Sequence, residues 1–564
     1  MTYVITQSCC NDTACVDVCP VDCIRPRMED ELFTTAEQLY IDPASCIDCG
    51  ACVDACPVDA IFPEHQLPAG MDQYTRVNKE YFDKHPLELL RDPSFPTSPI
   101  AVPGDISPLR VAVVGAGPAA MYAVDALTSH GGGNVEIEVF ERSPSPWGLA
   151  RGGVAPDHQR TRTITNIFKA MMGNPAVRAH LNVEVGKHIS HAELLRHHHA
   201  VVYGVGASTD RHLNIDGEGL PGSVAATDFV AWYNGDPDHA DDVYDLGGER
   251  AVVIGNGNVA LDVARVLATS PDQLAQTDIA EHALEALRAS TIREVVVLGR
   301  RGPVQAAFTS KELLGLDYVD GMDIIVDPAD LVLDEQDEAF LASEACPFPV
   351  PRKIEQLRGW ASRSSNPTNR RIVLKFLASP TAILGEGHVE KIQVARNELV
   401  ADGTGRRQAR PTGESDTIET GLILRSVGYR GAPADGVPFD ERRGIIPNNE
   451  GRVIHPVTGE PVTGVYVTGW IKRGPSGYLG TNKKCAQDTI KLLRADVEAG
   501  RLTRQVKDRR ALERLLAERQ PDAISFDEWR VLDRAELARG KATGRPRVRY
   551  TDTQEMVDLA KGRG

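Results

Sequence analysis

The sequence predicts a multidomain α/β protein preceded by a small α+β domain. Three observations support this fold class. Nine of the eleven cysteines lie before residue 57. Two units of strand, glycine turn, helix and strand begin at Leu109 and at Arg250. A stretch rich in proline and polar residues, from Pro63 to Pro108, separates the cysteine-dense part from these units.

Composition narrows the class of protein. The 564 residues are enough for about three to five domains. The net charge of −17 argues against a nucleic-acid binder but leaves room for a protein partner with a basic docking face. We expect no membrane span and no signal peptide, because no apolar run is long enough and MTYVITQSCC lacks a basic start. Clustered cysteines in a reducing compartment are typical of metal ligands, so we expect a cytoplasmic protein.

The strongest chemical signal is Cys46-x-x-Cys49-x-x-Cys52-x-x-x-Cys56-Pro57. Three thiolates at this spacing can bind one iron–sulfur cluster from a single loop, while the fourth cysteine, before the proline, points to a second cluster. Zinc sites favour paired cysteines instead.

A related pattern precedes it, in which Asp12 replaces the middle cysteine. Reciprocal ligation predicts one [4Fe–4S] cluster on Cys46, Cys49, Cys52 and Cys19, and a second cluster on Cys9, Cys15 and Cys56. With three thiolates, the second cluster is either [3Fe–4S] or a labile [4Fe–4S] with Asp12 or water at its corner. Cys10 competes with Cys9 as a ligand, and we expect Cys23 to be a free thiol near a cluster.

Residues 1–65, here called the N-terminal module, resemble the seven-iron bacterial ferredoxins through CVDVCPVDC and YIDPASCIDCGACVDACPVDAIF. The resemblance implies a pseudo-twofold fold around two clusters and the transfer of single electrons. The aspartate and the adjacent Cys9 and Cys10 depart from the family pattern.

The first strand–turn–helix unit carries Gly115-Ala116-Gly117-Pro118-Ala119-Ala120 after the strand RVAVV. The first glycine permits a tight turn, the second lets the backbone approach a pyrophosphate, and the small third position lets helix and strand pack. Glu141 ends the next strand, where a carboxylate can accept hydrogen bonds from ribose hydroxyls.

The second unit carries Gly255-Asn256-Gly257-Asn258-Val259-Ala260. Its following strand ends in Arg300 and Arg301 rather than in an acid. Two guanidinium groups at that position favour a 2′-phosphate, so NADP(H) is expected rather than NAD(H).

A later glycine-rich stretch, VYVTGWIKRGPSGYLGTNKK (residues 465–484, the return segment), is expected to come back to the first unit and cover a flavin. With FERSPSPWGLARGGVAPDH, VVIGNGNVALDVARVL and GRRGPVQAAFTSKEL, it makes residues 109–495 similar to the adrenodoxin-reductase-type ferredoxin–NADP reductases.

This resemblance implies noncovalent FAD at the first unit and NADP(H) at the second. The FAD residues implied by motif and resemblance are Gly115, Ala116, Gly117, Pro118, Ala119, Glu141, Gly148, Leu149, Val154, Trp470, Ile471 and Gly477. Those for NADP(H) are Gly255, Asn256, Gly257, Asn258, Val259, Arg300, Arg301, Glu312 and Gly477. The resemblance further places His158 near the flavin, in a proton or docking network. The acid that some family members have three residues after Glu312 is Gly315 here, so no proton relay is inferred through it.

The predicted domains are a ferredoxin domain (1–65), a linker (66–107), an FAD domain (108–209 and 425–495), an NADP domain (210–424) and a helical extension (496–564). The predicted reaction is hydride transfer between NADPH and FAD, coupled to single-electron transfer to or from an external ferredoxin-type carrier. Two alternatives stay open: an electron-input subunit similar to the glutamate synthase small subunit, and a redox-silent N-terminal docking element. The charged extension is expected to be a packing and solvated tail, and His197–His199 a solvated helix end.

Overall fold

The chain was analysed as a computed structural model, which describes residues 2–87, 100–129, 134–403 and 406–563. The strands of these residues are, in chain order, β1 (Tyr3–Ile5), β2 (Ile24–Arg25), β3 (Tyr40–Ile41), β4 (Ile61–Pro63), β5 (Leu109–Val114), β6 (Val135–Glu141), β7 (Val177–Leu181), β8 (Ala200–Tyr203), β9 (Thr209–Asp210), β10 (Ser223–Ala225), β11 (Arg250–Ile254), β12 (Glu294–Leu298), β13 (Met322–Val326), β14 (Arg370–Lys375), β15 (Ala378–Leu384), β16 (Lys391–Ala401), β17 (Arg407–Glu419), β18 (Leu422–Arg425), β19 (Tyr429–Arg430), β20 (Asn448–Asn449), β21 (Arg452–Ile454) and β22 (Pro461–Val467).

The α-helices of the same residues are α1 (Ala14–Asp17), α2 (Ala51–Ala55), α3 (Gln73–Lys84), α4 (Pro118–Thr128), α5 (Leu149–Gly152), α6 (Gln159–Arg162), α7 (Ile164–Met172), α8 (His191–His197), α9 (Ala226–Tyr233), α10 (Asn258–Ala268), α11 (Pro271–Leu274), α12 (Glu281–Ala289), α13 (Ser310–Leu316), α14 (Glu335–Ala342), α15 (Pro349–Ala361), α16 (Trp470–Arg473), α17 (Leu479–Glu498), α18 (Arg509–Arg519), α19 (Phe526–Thr543) and α20 (Thr553–Ala560).

The N-terminal module has two similar halves, as the resemblance implies. β1 pairs antiparallel with β4, and β2 pairs antiparallel with β3. The halves also match at the cysteines before the prolines: the Cys23 amide lies 3.4 Å from Cys19 Sγ, and the Ala60 amide lies 3.3 Å from Cys56 Sγ. The repeated CPVD sequence therefore builds the same turn twice.

The linker contains the helix α3, which overlaps the stretch YFDKHPLELL (residues 81–90), whose sequence predicts a short helix. α3 begins earlier, at Gln73, and ends at Lys84, and residues 88–90 of the stretch lie outside the described residues. α3 packs between the module and the second unit, since the ring of Tyr81 stacks on Tyr40 at 4.0 Å and meets Phe348 edge-on at 5.5 Å.

The strands of each predicted nucleotide unit pair in parallel, and the two units lie in separate sheets. The first unit lies in a seven-stranded sheet with the order β20-β21-β22-β8-β5-β6-β7, in which β22 belongs to the return segment. This sheet is mixed, because β21 pairs antiparallel with both β20 and β22. The second lies in a six-stranded parallel sheet with the order β10-β18-β11-β12-β14-β13. Where the chain passes between the two sheets, β9 pairs antiparallel with β19.

The stretches RIVLKFLASP and HVEKIQVARNELV, whose sequences predict strands of a mixed sheet, are divided between two sheets. RIVLKFLASP spans β14, which joins the six-stranded parallel sheet, and the start of β15. HVEKIQVARNELV forms β16, which pairs antiparallel with β15 and β17 in a separate three-stranded sheet.

The C-terminal extension is packed against the rest of the chain. Leu512 and Leu516 of α18 lie in the core of the seven-stranded sheet. Trp529 of α19 is buried and meets Trp147 edge-on at 5.3 Å. The extension therefore packs against the rest of the chain and also exposes many of its residues, as the sequence predicts.

The histidine triplet was also predicted to be solvated, and this was wrong. His197, His198 and His199 are buried, because they connect α8 to β8, an inner strand of the seven-stranded sheet. The Arg110 amide donates to His199 Nδ1 at 2.9 Å. Burial lowers the pKa of all three imidazoles.

Candidate active site

The main cavity of the described residues lies where three parts of the chain meet. Its volume is about 970 Å³, and its wall includes the first glycine turn, the helix that follows the second turn, the return segment and Cys9 and Cys10 of the N-terminal module. A cavity of this size and mixed polarity is suited to cofactors rather than to a small ion.

The first glycine turn has the shape that a pyrophosphate requires. Gly115 has φ +98°, and a Cβ there would lie 2.7 Å from the Gly204 carbonyl oxygen, so this glycine serves the tight turn. At Gly117 the nearest atom to an added Cβ is 3.8 Å away, so its missing side chain leaves space for a ligand. Gly117 caps α4 without any side-chain hydrogen bond, which leaves amide donors for an anion.

The second glycine turn repeats this geometry. Gly255 has φ +118°, and a Cβ there would lie 2.1 Å from the Ser426 carbonyl oxygen. Gly257 has nothing within 4 Å of an added Cβ and begins α10 without a side-chain cap. Both turns therefore fit dinucleotide phosphates.

Most of the predicted FAD residues and part of the NADP(H) set line the cavity. The lining residues are Gly115, Gly117, Pro118, Ala119, Glu141, Gly148, Leu149, Val154, His158, Asn258, Val259, Glu312, Trp470 and Gly477. Outside the lining are Ala116, Gly255, Asn256, Gly257, Arg300, Arg301 and Ile471. The Ala116 amide donates to Glu141 Oε2 at 2.8 Å, so Glu141 also braces the turn.

Ile471 does not face the cavity. Its side chain is fully buried in the core of the seven-stranded sheet, and its carbonyl accepts from the Ile446 amide at 2.9 Å. Its neighbour Trp470 does line the cavity, with its ring 5.3 Å from that of Tyr429. The return segment reaches the first turn closely, since a Cβ at Gly469 would lie 2.4 Å from Ala119 Cβ.

The two arginines after β12 form a separate basic surface near the second turn. Arg300 is exposed and Arg301 is half-buried, and neither has an ion-pair partner within the part of the chain that the structure describes. Burial lowers the pKa of Arg301, and the charges of Arg300 and Arg406 add to the effect. The guanidinium groups of Arg300 and Arg301 at this position suit a phosphate group.

His158 lies in a buried charged cluster that the sequence did not reveal. Its Nε2 is 3.8 Å from Glu312 Oε2. Arg265, only 2% exposed, contacts Asp157 at 2.6 Å, Asp262 at 2.7 Å and Glu312 at 3.8 Å. Burial lowers the pKa of His158, and the Arg265 charge adds to this shift.

Ligand atoms of His158, Asp262 and Glu312 lie within 4.8 Å of one another, a spacing that a metal ion could use. The Arg265 guanidinium contacts both carboxylates of this group, so it supplies part of the positive charge that an ion would otherwise bring. The i,i+3 spacing of Asp262 and Arg265 on α10 was visible in the sequence, but their contact with Asp157 and Glu312 is long-range.

The first predicted cluster site is a small cavity in the N-terminal module. Cys19, Cys46, Cys49 and Cys52 line it together with Cys23 and apolar side chains. Cys49 is exposed, whereas Cys23 Sγ lies 3.5 Å from Cys19 Sγ. Four thiols around one apolar space fit an iron–sulfur cluster.

The second predicted cluster site lies on the side of the module that faces the main cavity. Cys9 and Cys15 are buried and Cys56 is half-buried. Cys9 and Cys15 belong to one packed core cluster, and Cys56 packs against it. Burial, and after it the charges of the Cys9 and Cys56 thiols, raises the pKa of Cys15. The Leu39 amide lies 3.4 Å from Cys9 Sγ, the kind of N–H···S contact that tunes cluster ligands.

Both carboxylate oxygens of Asp12 lie next to hydrogen-bond donors of the protein. Oδ1 accepts from the Ala14 amide at 3.0 Å. Lys483 of the return segment lies 3.7 Å from Oδ2 and donates to the Asp12 carbonyl at 2.8 Å.

The N-terminal module is docked through its cysteine loop. Lys311 Nζ donates to the Cys9 carbonyl at 2.9 Å, and the Gly480 amide donates to the Cys10 carbonyl at 2.9 Å. A Cβ at Gly315 would lie 2.1 Å from Gln7 Nε2. The missing side chain of Gly315 therefore leaves room for the Gln7 side chain of the module.

None of the helices in the described ranges is long and apolar enough to cross a membrane.

Two family models match the chain. Residues 39–62 match the 4Fe-4S binding domain, and residues 112–245 match the FAD-NAD(P)-binding family. A probable ferredoxin/ferredoxin–NADP reductase of Mycobacterium bovis is 49% identical over 99% of this chain and 95% of that protein, so the match includes the C-terminal extension. The NADPH:adrenodoxin oxidoreductase of Arabidopsis thaliana is 36% identical over 80% of this chain and 95% of that protein.

Among solved structures, FprA from Mycobacterium tuberculosis in complex with NADPH is 46% identical, with a TM-score of 0.76 over 81% of this chain and 100% of that chain. The predicted resemblance to adrenodoxin-reductase-type enzymes with a fused ferredoxin is confirmed. The chain belongs to the ferredoxin/ferredoxin–NADP reductase family: it is an oxidoreductase in which a ferredoxin-type iron–sulfur module is fused to an FAD- and NADP-binding reductase.

Proposed function

We propose that the chain oxidises NADPH in the main cavity and passes the electrons singly, through its own N-terminal module, to an external ferredoxin-type carrier. One observation carries this proposal: Cys9 and Cys10 line the same cavity as the first glycine turn and the return segment. When bound, FAD supplies the exchange between a two-electron hydride and single electrons, which iron–sulfur clusters take up one at a time.

The residues of the reductase part hold and orient the two nucleotides. Gly115 and Gly117 shape the turn for the FAD pyrophosphate, and Trp470 and Gly477 of the return segment close the cavity beside it. Gly257 leaves space for the NADP(H) phosphates, and Arg300 and Arg301 bind the 2′-phosphate. Glu312 contacts NADP(H), and His158, whose pKa is lowered by burial, lies beside it.

The module is oriented with its two cluster sites in series. The site of Cys9, Cys15 and Cys56 faces the cavity, whereas the site of Cys46, Cys49, Cys52 and Cys19 reaches the surface at the exposed Cys49. The site of Cys9, Cys15 and Cys56 is therefore the entry point for electrons (the entry site), and the site of Cys46, Cys49, Cys52 and Cys19 is the exit toward the carrier (the exit site). Fusion keeps the entry site at the cavity and removes one diffusional encounter.

The entry site is proposed to hold a [3Fe–4S] cluster on Cys9, Cys15 and Cys56, and the exit site a [4Fe–4S] cluster. The support is the position of Asp12, because its oxygens are engaged by the Ala14 amide and by Lys483 rather than free for iron. None of the eleven cysteines, all of which lie within the described residues, forms a disulfide bond. This agrees with a reducing, cytoplasmic location.

An anaerobic NADPH titration of the whole protein, followed by visible absorbance and electron paramagnetic resonance, tests the relay. The expected result is loss of flavin absorbance followed by a change in the cluster signals. If the flavin is reduced, the clusters stay oxidised and an added ferredoxin is still reduced at the full rate, the module is a docking element and the proposed relay fails. NADH should give the same spectral changes only at much higher concentration.

A glutamate synthase-type electron-input role has less support. The FprA match extends over the whole of that reductase, and the N-terminal pattern is of the ferredoxin kind.

A further inference from the structure

Helix α13 connects the N-terminal module to the NADPH site. We propose that Glu37, a residue of the module, is a positioning residue for NADPH binding, because it fixes the N-terminus of the helix that carries Glu312. The inference rests on the proposed function only in taking Glu312 as an NADPH contact.

Glu37 satisfies the first turn of α13. It is 6% exposed, and its Oε2 accepts hydrogen bonds from the Ser310 amide at 2.8 Å and from the Ser310 hydroxyl. A helix leaves its first amides without internal partners, and a negative charge at this end is favourable. The hydroxyl of Thr309, which directly precedes α13, accepts from the Glu312 amide at 3.3 Å. Glu37 therefore supplies a second cap to the same helix from a distant part of the sequence.

A buried lysine balances the Glu37 charge and holds the same segment from the other side. Lys353 is 7% exposed, and its Nζ donates to the Ala306 and Phe308 carbonyls at 3.0 and 3.2 Å. Burial lowers the pKa of Lys353, and the Glu37 charge opposes this shift. Removing Glu37 would therefore leave both the Ser310 donors and the Lys353 charge uncompensated.

The segment before α13 is also tied to the second glycine turn. The Phe308 amide donates to the Asn256 carbonyl at 2.9 Å, and the Thr309 amide donates to Asn258 Oδ1 at 2.8 Å. Residues 308–310 are thus held between the NADP(H) turn and the module. Glu312 follows within the same helical turn and lies 3.8 Å from His158.

The module meets α13 at two further points, the Lys311 contact with the Cys9 carbonyl and the close approach of Gln7 to Gly315. One side of this short helix therefore faces the module while Glu312 faces the cavity. A change in the Glu37 contact shifts the helix start and moves Glu312 relative to bound NADPH. Loss of the Glu37 contact should therefore change the affinity for NADPH rather than the chemical step, because Glu37 itself lies outside the cavity lining.

The test compares Glu37→Ala, Glu37→Gln and the wild type in the full-length holoprotein. Steady-state reduction of ferricyanide by NADPH gives KM and kcat, and a difference-absorbance titration gives the Kd for NADP⁺. In Glu37→Ala we expect KM and Kd to rise about 5- to 20-fold, as for the loss of one or two hydrogen bonds to a charged group, with kcat within about twofold. Glu37→Gln should recover most of the affinity, because its amide oxygen still accepts from Ser310.

The matched control is Glu64→Ala, an exposed acid of the same module, which should leave both constants unchanged. If Glu37→Ala lowers the melting temperature or the cluster content but leaves KM and Kd unchanged, Glu37 is only an interface residue and the proposal is overturned. If Glu37→Ala does not accumulate, Ser310→Ala serves instead: a smaller rise in the same constants supports the proposal, and unchanged constants overturn it. Failure of the proposed function would give a different result from failure of this inference, because NADPH would then not reduce the flavin even in the wild-type protein.

Discussion

Gly480 and Asn11 are in such close contact that a methyl group on the Gly480 Cα would lie 1.6 Å from the Asn11 carbonyl oxygen. Gly480 is the second residue of α17, and Asn11 lies in the loop between Cys9 and Cys15. The amide of Gly480 also binds the Cys10 carbonyl at 2.9 Å. The loop of the entry cluster therefore rests directly on the reductase backbone, which fixes its distance from the cavity.

A methyl group at this contact should slow the relay without stopping NADPH oxidation. For Gly480→Ala we expect the loop to be displaced, because the obstructing atom is backbone and cannot rotate away. Electron transfer to the clusters should slow about tenfold or more, as small displacements in a catalytic assembly do. Stopped-flow absorbance under anaerobic conditions separates flavin reduction from cluster reduction.

Gly359→Ala is the matched control for this variant. Gly359 is an exposed residue of α15, and an added Cβ there would have nothing within 4 Å. Equal cluster reduction rates in Gly480→Ala and wild type would mean that the module does not depend on this contact.

The role of Asp12 can be decided by counting iron. If Asp12 is not a ligand, Asp12→Ala keeps about seven irons per chain, three plus four, and the same paramagnetic signal as the wild type. Asp12→Cys should raise the count to about eight, because a thiolate at this spacing completes the fourth corner. A wild-type count of eight that falls to seven in Asp12→Ala would show that the carboxylate binds iron.

The choice between NADPH and NADH should depend on the two arginines after β12. For Arg300→Ala and Arg301→Ala we expect KM for NADPH to rise about 10- to 100-fold each, as for the loss of a hydrogen bond to a charged group. KM for NADH should hardly change, because NADH has no 2′-phosphate. Arg293→Ala, exposed at the opposite end of β12, is the control. A parallel rise for both nucleotides would contradict 2′-phosphate binding.

The C-terminal extension should stabilise the bound flavin. Arg549, 6% exposed, binds Asp278 at 2.8 Å and donates to the Arg151 and Asn234 carbonyls. Breaking a buried pair costs about 3–5 kcal/mol, so Arg549→Met should lower the temperature of flavin release by about 6 °C or more. Flavin fluorescence during heating measures this, with the exposed Arg534→Met as control. An unchanged release temperature would show that the extension is dispensable for the flavin site.

The parts of the site that local sequence specifies were predicted correctly in position. Gly115, Gly117, Gly255 and Gly257 occupy two equivalent turns, because each motif spans only a few residues and its backbone requirement is local. The cysteine spacing likewise places Cys46, Cys49 and Cys52 around one space, with Cys19 joining them from the other half.

The contacts that sequence reading missed join distant parts of the chain. Asp157 meets Arg265 more than a hundred residues later, and Glu37 meets Ser310 from another domain. No periodicity marks such pairs, because nothing in the local sequence around one partner identifies the other. The buried His197–His199 was misjudged for the same reason: the burial comes from the sheet around it.

Arg549 and Met556 belong to the wall of a cavity whose first turn begins at Gly115. During synthesis on the ribosome, the glycine turns emerge hundreds of residues before this part of the wall exists. A chain that has reached only the return segment lacks this part of the wall. The cavity is therefore complete only after residue 556 has left the exit tunnel, so some of the last residues to be synthesised finish a site that begins near residue 115.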